Sequence, residues 1–101
     1  MAQLTILYWR DIPAQVIAKA GRRMAKRQLP ARFEQAIDRA AMRAKLTGTD
    51  AYLEQWRKSD PTACGEDLEA AAEQAAAALE ASFTPERLRD YVRNGGHTPK
   101  A

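Results

Sequence analysis

The chain is short of almost everything an enzyme is built from. Among its 101 residues there is one histidine and one cysteine. Cys64 lies in a Pro-Thr-Ala-Cys-Gly stretch without a neighbouring base, and His97 lies in a Gly-rich tail. A thiol nucleophile needs an activating partner, and a closed zinc site needs several ligands at paired spacings, so these two residues support neither chemistry alone. Carboxylates cluster only on an acidic helical face, where solvation is the ordinary state. No Gly-rich phosphate loop is present, because Gly95-Gly96 follows a helical pattern instead of opening one. One cysteine also excludes an internal disulfide and fits a reducing compartment. No stretch approaches the roughly 18 to 20 apolar residues of a membrane-spanning helix. The N-terminus lacks the basic segment and apolar run of an export signal. These absences lead us to expect a cytoplasmic, non-catalytic protein that holds no metal and no cofactor of its own.

Core material is scarce as well. Apolar residues make up 46%, but 21 of them are alanine, which leaves 25 larger ones. At this length roughly 60 to 65% of the unfolded surface can be buried, enough for one modest core. A single domain over residues 1–96 is expected, followed by a frayed tail over 97–101. Charge is unevenly spread: residues 1–58 hold 12 Lys and Arg against 5 Asp and Glu, whereas residues 59–101 hold 4 against 8. Oppositely charged halves either pair with each other or leave the basic half for an outside anion.

Residues 3–9 are aliphatic and aromatic on both faces of an extended segment, with Leu4, Ile6 and Tyr8 alternating with Thr5, Leu7 and Trp9. Such a strand wants cover on both sides, from its own helices and from a partner or a curling hairpin. Pro13 breaks the pattern, and a second strand is expected over Ala14 to Ala20. Gly21-Arg22 suits the centre of a two-residue hairpin turn, because glycine supplies the positive φ of its first position. Residues 23–29 read as the return strand, although their Arg, Lys and Met content suits a helix equally. From Pro30 the period becomes helical, with Phe33, Ile37, Ala40, Ala41 and Ala44 in one stripe. Tyr52, Leu53 and Trp56 mark a short second helix ending near Ser59. Residues 66–83 form an Ala-rich third helix, and Thr84-Pro85 open a fourth that Asn94-Gly95-Gly96 ends. The fold class is therefore α+β: an antiparallel hairpin or three-stranded meander followed by three to four helices packed on one face.

Two groups of residues invite a binding role. Tyr8, Trp9, Arg10, Asp11 and Gln15 combine large amphipathic side chains with an adjacent Arg-Asp pair at a strand end. Trp, Tyr and Arg are the residues that dominate interfaces, which makes this cluster a candidate partner-binding site. The plainer alternative is that Trp9 belongs to the core and that Arg10 and Asp11 pair near a turn. Arg22, Arg23, Lys26, Arg27, Arg39 and Arg43 belong to a stretch over 19–45 with 9 basic and 2 acidic residues. Guanidinium forks grip phosphate and carboxylate groups, so the stretch is a candidate anion-binding or nucleic-acid surface. A solvated face partly neutralised by the Glu-rich helix is the alternative. That Ala-rich helix could also pair with its own copy, although its smooth stripe offers little hydrophobic energy.

The runs Tyr8-Trp9-Arg10-Asp11-Ile12-Pro13-Ala14-Gln15-Val16 and Leu29-Pro30-Ala31-Arg32-Phe33, followed by Thr49-Asp50-Ala51-Tyr52-Leu53 with Trp56-Arg57, resemble the small bacterial "virulence factor" domain family. The resemblance covers about residues 3–95 and is weakest over the Ala-rich segment. It implies an accessory protein whose partner is a folate- or corrinoid-dependent enzyme of one-carbon, methyl-transfer metabolism. An enzyme subunit with a shared active site is a further reading, with Arg10, Asp11 or Cys64 contributing.

Overall fold

The computed structural model describes residues 1–99. Strands β1 (Gln3–Trp9), β2 (Ile12–Ala20) and β3 (Arg23–Gln28) form an antiparallel meander, and β4 (Trp56–Lys58) and β5 (Thr62–Ala63) both pair with the free edge of β1. The sheet order is β3-β2-β1-β4. Helices α1 (Ala31–Arg43), α2 (Asp50–Glu54), α3 (Leu68–Ser82) and α4 (Pro85–Arg93) complete the α+β fold.

Local chemistry explains most boundaries. Gly21 has φ +60° in the turn between paired Ala20 and Arg23, as its position in the sequence requires. The Asp67 carboxylate accepts from the Ala70 amide to start α3, and the Thr84 hydroxyl accepts from the Arg87 amide to start α4, which carries Pro85 in its first turn.

Two expectations need correction. Strand β2 begins at Ile12, two residues earlier than Ala14, and includes Pro13. A β-bulge between Leu7 and Tyr8 brings Pro13 opposite Tyr8, and the β3 ladder starts only at Gln15. The missing amide thus falls at a bulge beyond the reach of β3, where proline is tolerated. The second helix stops at Glu54, and Trp56–Lys58 forms a strand against Leu7–Trp9 instead of a last helical turn.

Beyond Lys58 the edge of the sheet is irregular. Ile6 donates its amide to Ser59 Oγ at 2.9 Å and accepts from the Ser59 amide at 2.9 Å, after which Asp60-Pro61 separates β4 from β5.

Helix α3 lies against β2 and β3. It buries Leu68, Ala72 and Ala76, and the sheet buries Val16, Ala18 and Ala25. Leu68, Ala72 and Ala76 of the Ala-rich stripe thus pack on the protein's own sheet, whereas Ala75 and Leu79 of the same stripe are half-buried. Phe33 of α1, Phe83 and Tyr91 of α4 form an aromatic row with centroid separations of 6.1 and 5.2 Å.

Candidate functional site

Trp9, Arg10 and Asp11 come together, but as a clamp. Arg10 and Asp11 are the two turn residues between β1 and β2, with Arg10 at φ 52°. A non-glycine residue in the left-handed region costs about 1–2 kcal/mol and persists only when its surroundings hold it. Here they do. The Arg10 amide donates to the Gln55 carbonyl at 3.0 Å, its Nε to Gln55 Oε1 at 3.1 Å and one Nη to the Gly95 carbonyl at 2.8 Å. Its guanidinium lies 5.2 Å from the Trp9 ring centroid. Trp9 has no exposed surface, and its indole N–H donates to the Tyr52 carbonyl at 3.0 Å. Tyr8 is half-buried with the Arg57 guanidinium 4.6 Å above its ring. Burial raises its phenol pKa, the Arg57 charge opposing.

Asp11 completes the clamp. Its carboxylate accepts from Arg57 at 3.0 Å and from the Thr98 amide and hydroxyl at 2.7 and 3.0 Å. Burial alone would raise its pKa, but the Thr98 and Arg57 hydrogen bonds outweigh it and hold the carboxyl below its ordinary value. Of the tail expected to fray from His97, Thr98 makes these two hydrogen bonds to Asp11, and Lys100 and Ala101 lie outside the described residues. Asp11→Asn is expected to cost about 1–2 kcal/mol at neutral pH, allowing for solvent screening of a partly exposed group. A depressed carboxyl pKa stabilises the fold above the ordinary value of 3.8 and loses that contribution as pH falls through the folded-state value. Urea midpoints of the two proteins should therefore converge below pH 4, and a constant difference would mean that the charge of Asp11 is not what holds the turn.

The basic stretch does not form one patch. Arg27 pairs with Glu69 at 2.8 Å and Arg23 with Glu66 at 4.0 Å, so part of it meets the acidic helix. Arg22 is exposed at the hairpin tip. Arg43 Nε donates to the Arg93 carbonyl at 3.1 Å, at the C-terminal end of α4. Arg39 lines a groove between α1 and α4. Lys26 projects from the sheet face opposite α3.

That second sheet face is the better candidate surface. Register places Gln3, Lys19 and Met24 in one row, Thr5, Ile17 and Lys26 in the next, and Leu7, Gln15 and Gln28 in a third, with Lys58 opposite Leu7 on the other side. Thr5, Leu7 and Ile17 are only half-buried, Met24 is 49% exposed, and the lysines are exposed. No aspartate or glutamate occurs among these strand positions.

Where this face meets α1 and α2 it deepens into a cleft of about 240 Å3. Leu7, Gln15 and Gln28 contribute from the sheet, Glu34 and Asp38 from one face of α1, and Tyr52 and Trp56 from α2 and β4. Buried Leu29 and Ile37 supply apolar lining. Tyr52 stacks 5.6 Å from Trp9 and meets Trp56 edge-on at 6.3 Å. Burial, and then the nearby Asp38 and Glu34 carboxylates, raise the Tyr52 phenol pKa, so the ring faces the cleft neutral. Aromatic rings beside two carboxylates favour a cationic group next to an apolar one. Of the candidate binding residues named from the sequence, Gln15 alone lines this cleft. Six chain segments supply its walls, so no linear motif announces it.

A five-stranded antiparallel sheet with α3 on one face and an open, lysine-edged face on the other, in a chain with four helices in all, defines a small α+β domain. Among the described residues, no helix is long and apolar enough to cross a membrane, and no three His, Cys, Asp or Glu side chains are grouped to hold a metal ion. The chain belongs to the Virulence factor family, whose model matches residues 7–92. No curated protein and no solved structure matches it.

Proposed function

We propose that this protein is a non-catalytic accessory domain that binds another protein across its open sheet face. The observation that supports this reading is the pair Leu7 and Ile17, half-buried side chains at the centre of a sheet face that α3 does not cover. An apolar centre with a polar rim is the ordinary anatomy of an interface. Charge makes the partner's chemistry specific. Lys19, Lys26 and Lys58 call for acidic residues over the strands, whereas the Trp56 cleft with Glu34 and Asp38 calls for an apolar side chain next to a basic one. The same two carboxylates oppose a nucleic acid, because they repel phosphate beside the rings on which bases would stack. The one-carbon or corrinoid enzymes implied by the family resemblance are the partners to try first.

A photo-crosslinking residue at position 17, compared with one at exposed Gln74 on α3, tests the reading in a pull-down at physiological salt. The position-17 probe is expected to capture a segment with acidic residues and an apolar-basic pair. Ile17→Glu should weaken capture at least tenfold, about 1.4 kcal/mol or more, without changing the melting temperature. Equal crosslinking at position 74, indifference to Ile17→Glu, or recovery of nucleic acid that is lost at raised salt would overturn it.

A further inference from the structure

A second concave site lies between α1 and α4, and its chemistry differs from that of the sheet face. The groove encloses about 310 Å3, within the range of small-molecule sites. Arg32 and Arg39 reach it from α1, and Arg89 and Arg93 from α4, around an apolar wall that includes Leu88 and Val92. The spacings explain the convergence: residues seven apart on α1 and four apart on α4 fall on one face of each helix. No carboxylate lines the groove.

Ion pairing does not account for four guanidinium groups here. Among the described residues, Arg32 and Arg39 have no carboxylate within 4.0 Å. Arg32 lies over the Phe33 ring, its carbon 4.9 Å from the centroid, and donates one Nη to the Glu80 carbonyl at 3.0 Å. Its Nε is buried without an acceptor. A buried donor left unmade is uncommon and costs stability. Arg89 and Arg93 approach Glu86 and Asp90 of their own helix only at 3.9 and 3.4 Å, in exposed pairs of small energetic value. Like charges gathered around an apolar wall repel one another, and an anion placed among them would relieve that repulsion.

We propose that the α1–α4 groove binds a small organic anion, an oxyanion carried on an apolar body. The charged end is held by the Arg32, Arg39, Arg89 and Arg93 guanidinium groups, and the body lies against Leu88 and Val92. Guanidinium forks match phosphate and carboxylate oxygens in pairs, and the aliphatic wall discriminates against free inorganic ions. This inference stands independently of the sheet-face reading, since the two sites share no residue.

Phenyl phosphate, benzoate and inorganic phosphate serve as probes, titrated into the full chain and followed by the arginine Nε–H resonances. Phenyl phosphate is expected to shift the Arg32 and Arg39 signals saturably and to bind at least tenfold more tightly than inorganic phosphate. Its affinity relative to benzoate identifies the preferred oxyanion. The double variant Arg39→Gln/Arg89→Gln should lose at least tenfold in affinity while the amide resonances of the sheet stay in place. Arg32 is left intact in that variant because its bond to Glu80 helps hold α1 against α3. The proposal is overturned by an absence of saturable shifts, by equal affinity for inorganic and phenyl phosphate, by retained affinity in the double variant, or by tighter binding of an acidic peptide to the same resonances.

Discussion

Gly96→Ala is expected to lower the unfolding free energy by about 2–4 kcal/mol, which for a domain of this size is a fall in melting temperature of roughly 10–25 °C. Two causes act together. Gly96 has φ +93°, a conformation that side-chain-bearing residues rarely adopt, and a Cβ built there would meet Trp9 Cζ3 at 2.7 Å and Cε3 at 3.1 Å. The Trp9 ring has no room to yield, since it is wholly buried against Tyr52 and the Arg10 side chain. Gly21→Ala supplies the comparison, because Gly21 also has positive φ but nothing within 4 Å of a built Cβ. It should show the backbone cost alone, about 1–2 kcal/mol. Thermal unfolding of the two variants side by side separates conformational strain from the clash. Equal losses would mean that Gly96 does not seal the Trp9 ring.

Trp9→Ala should cost still more, about 3–5 kcal/mol, the range for emptying a buried aromatic site. Domains of this kind have roughly 5–15 kcal/mol in total, so the loss removes a large share of the margin. The indole fills the junction of β1, α2 and Gly96, and its N–H satisfies the Tyr52 carbonyl. Trp9→Phe keeps part of the volume and should lose less, with the Tyr52 carbonyl left to water or unpaired. Urea midpoints at neutral pH provide the measurement, and a loss below about 1 kcal/mol for Trp9→Ala would remove the residue from the core. Binding data need the same precaution: a Trp9→Ala protein that fails to capture a partner reports damage to the scaffold, not the position of an interface.

The elements that could be read from the sequence are those whose signals are local. Gly21 marks its turn, Asp67 and Thr84-Pro85 mark their helix starts, and the three-and-four spacing of Phe33, Ile37 and Ala40 marks α1 because each acts within a few residues. Strand β4 could not be read in the same way. Trp56–Lys58 is too short for a period of two to register, and Tyr52 and Leu53 extend a helical spacing into it; only pairing with distant Leu7–Trp9 makes it a strand. The first turn was obscured for a related reason. Arg10 has no intrinsic liking for positive φ, and the groups that hold it there lie at Gln55 and Gly95.

The candidate sites follow the same division. Trp9, Arg10 and Asp11 stand out because they are chemically rich and adjacent, yet that richness secures the turn. The cleft residues Leu7, Glu34, Asp38, Tyr52 and Trp56 are individually ordinary and meet only through the fold. Arg39 drew notice within a basic stretch, whereas Arg89 and Arg93 were masked by Glu86 and Asp90 on the same short helix. Net charge averaged over a segment hides which side of a helix carries it.

The broken strand at the margin of the sheet has a consequence for life in a crowded solution. An antiparallel sheet with one uncovered face is a template on which stray extended chains can grow, and its two margins are where growth starts. At one margin Asp60-Pro61 interrupts the ladder between two very short strands, so an incoming chain finds no continuous row of donors and acceptors. At the other, Arg23, Lys26 and Arg27 place three positive charges along six residues of β3. A second copy arriving edge to edge would bring the same charges with it. The protein can thus leave the flat of its sheet available to a partner while keeping its rims closed to fibrillar stacking.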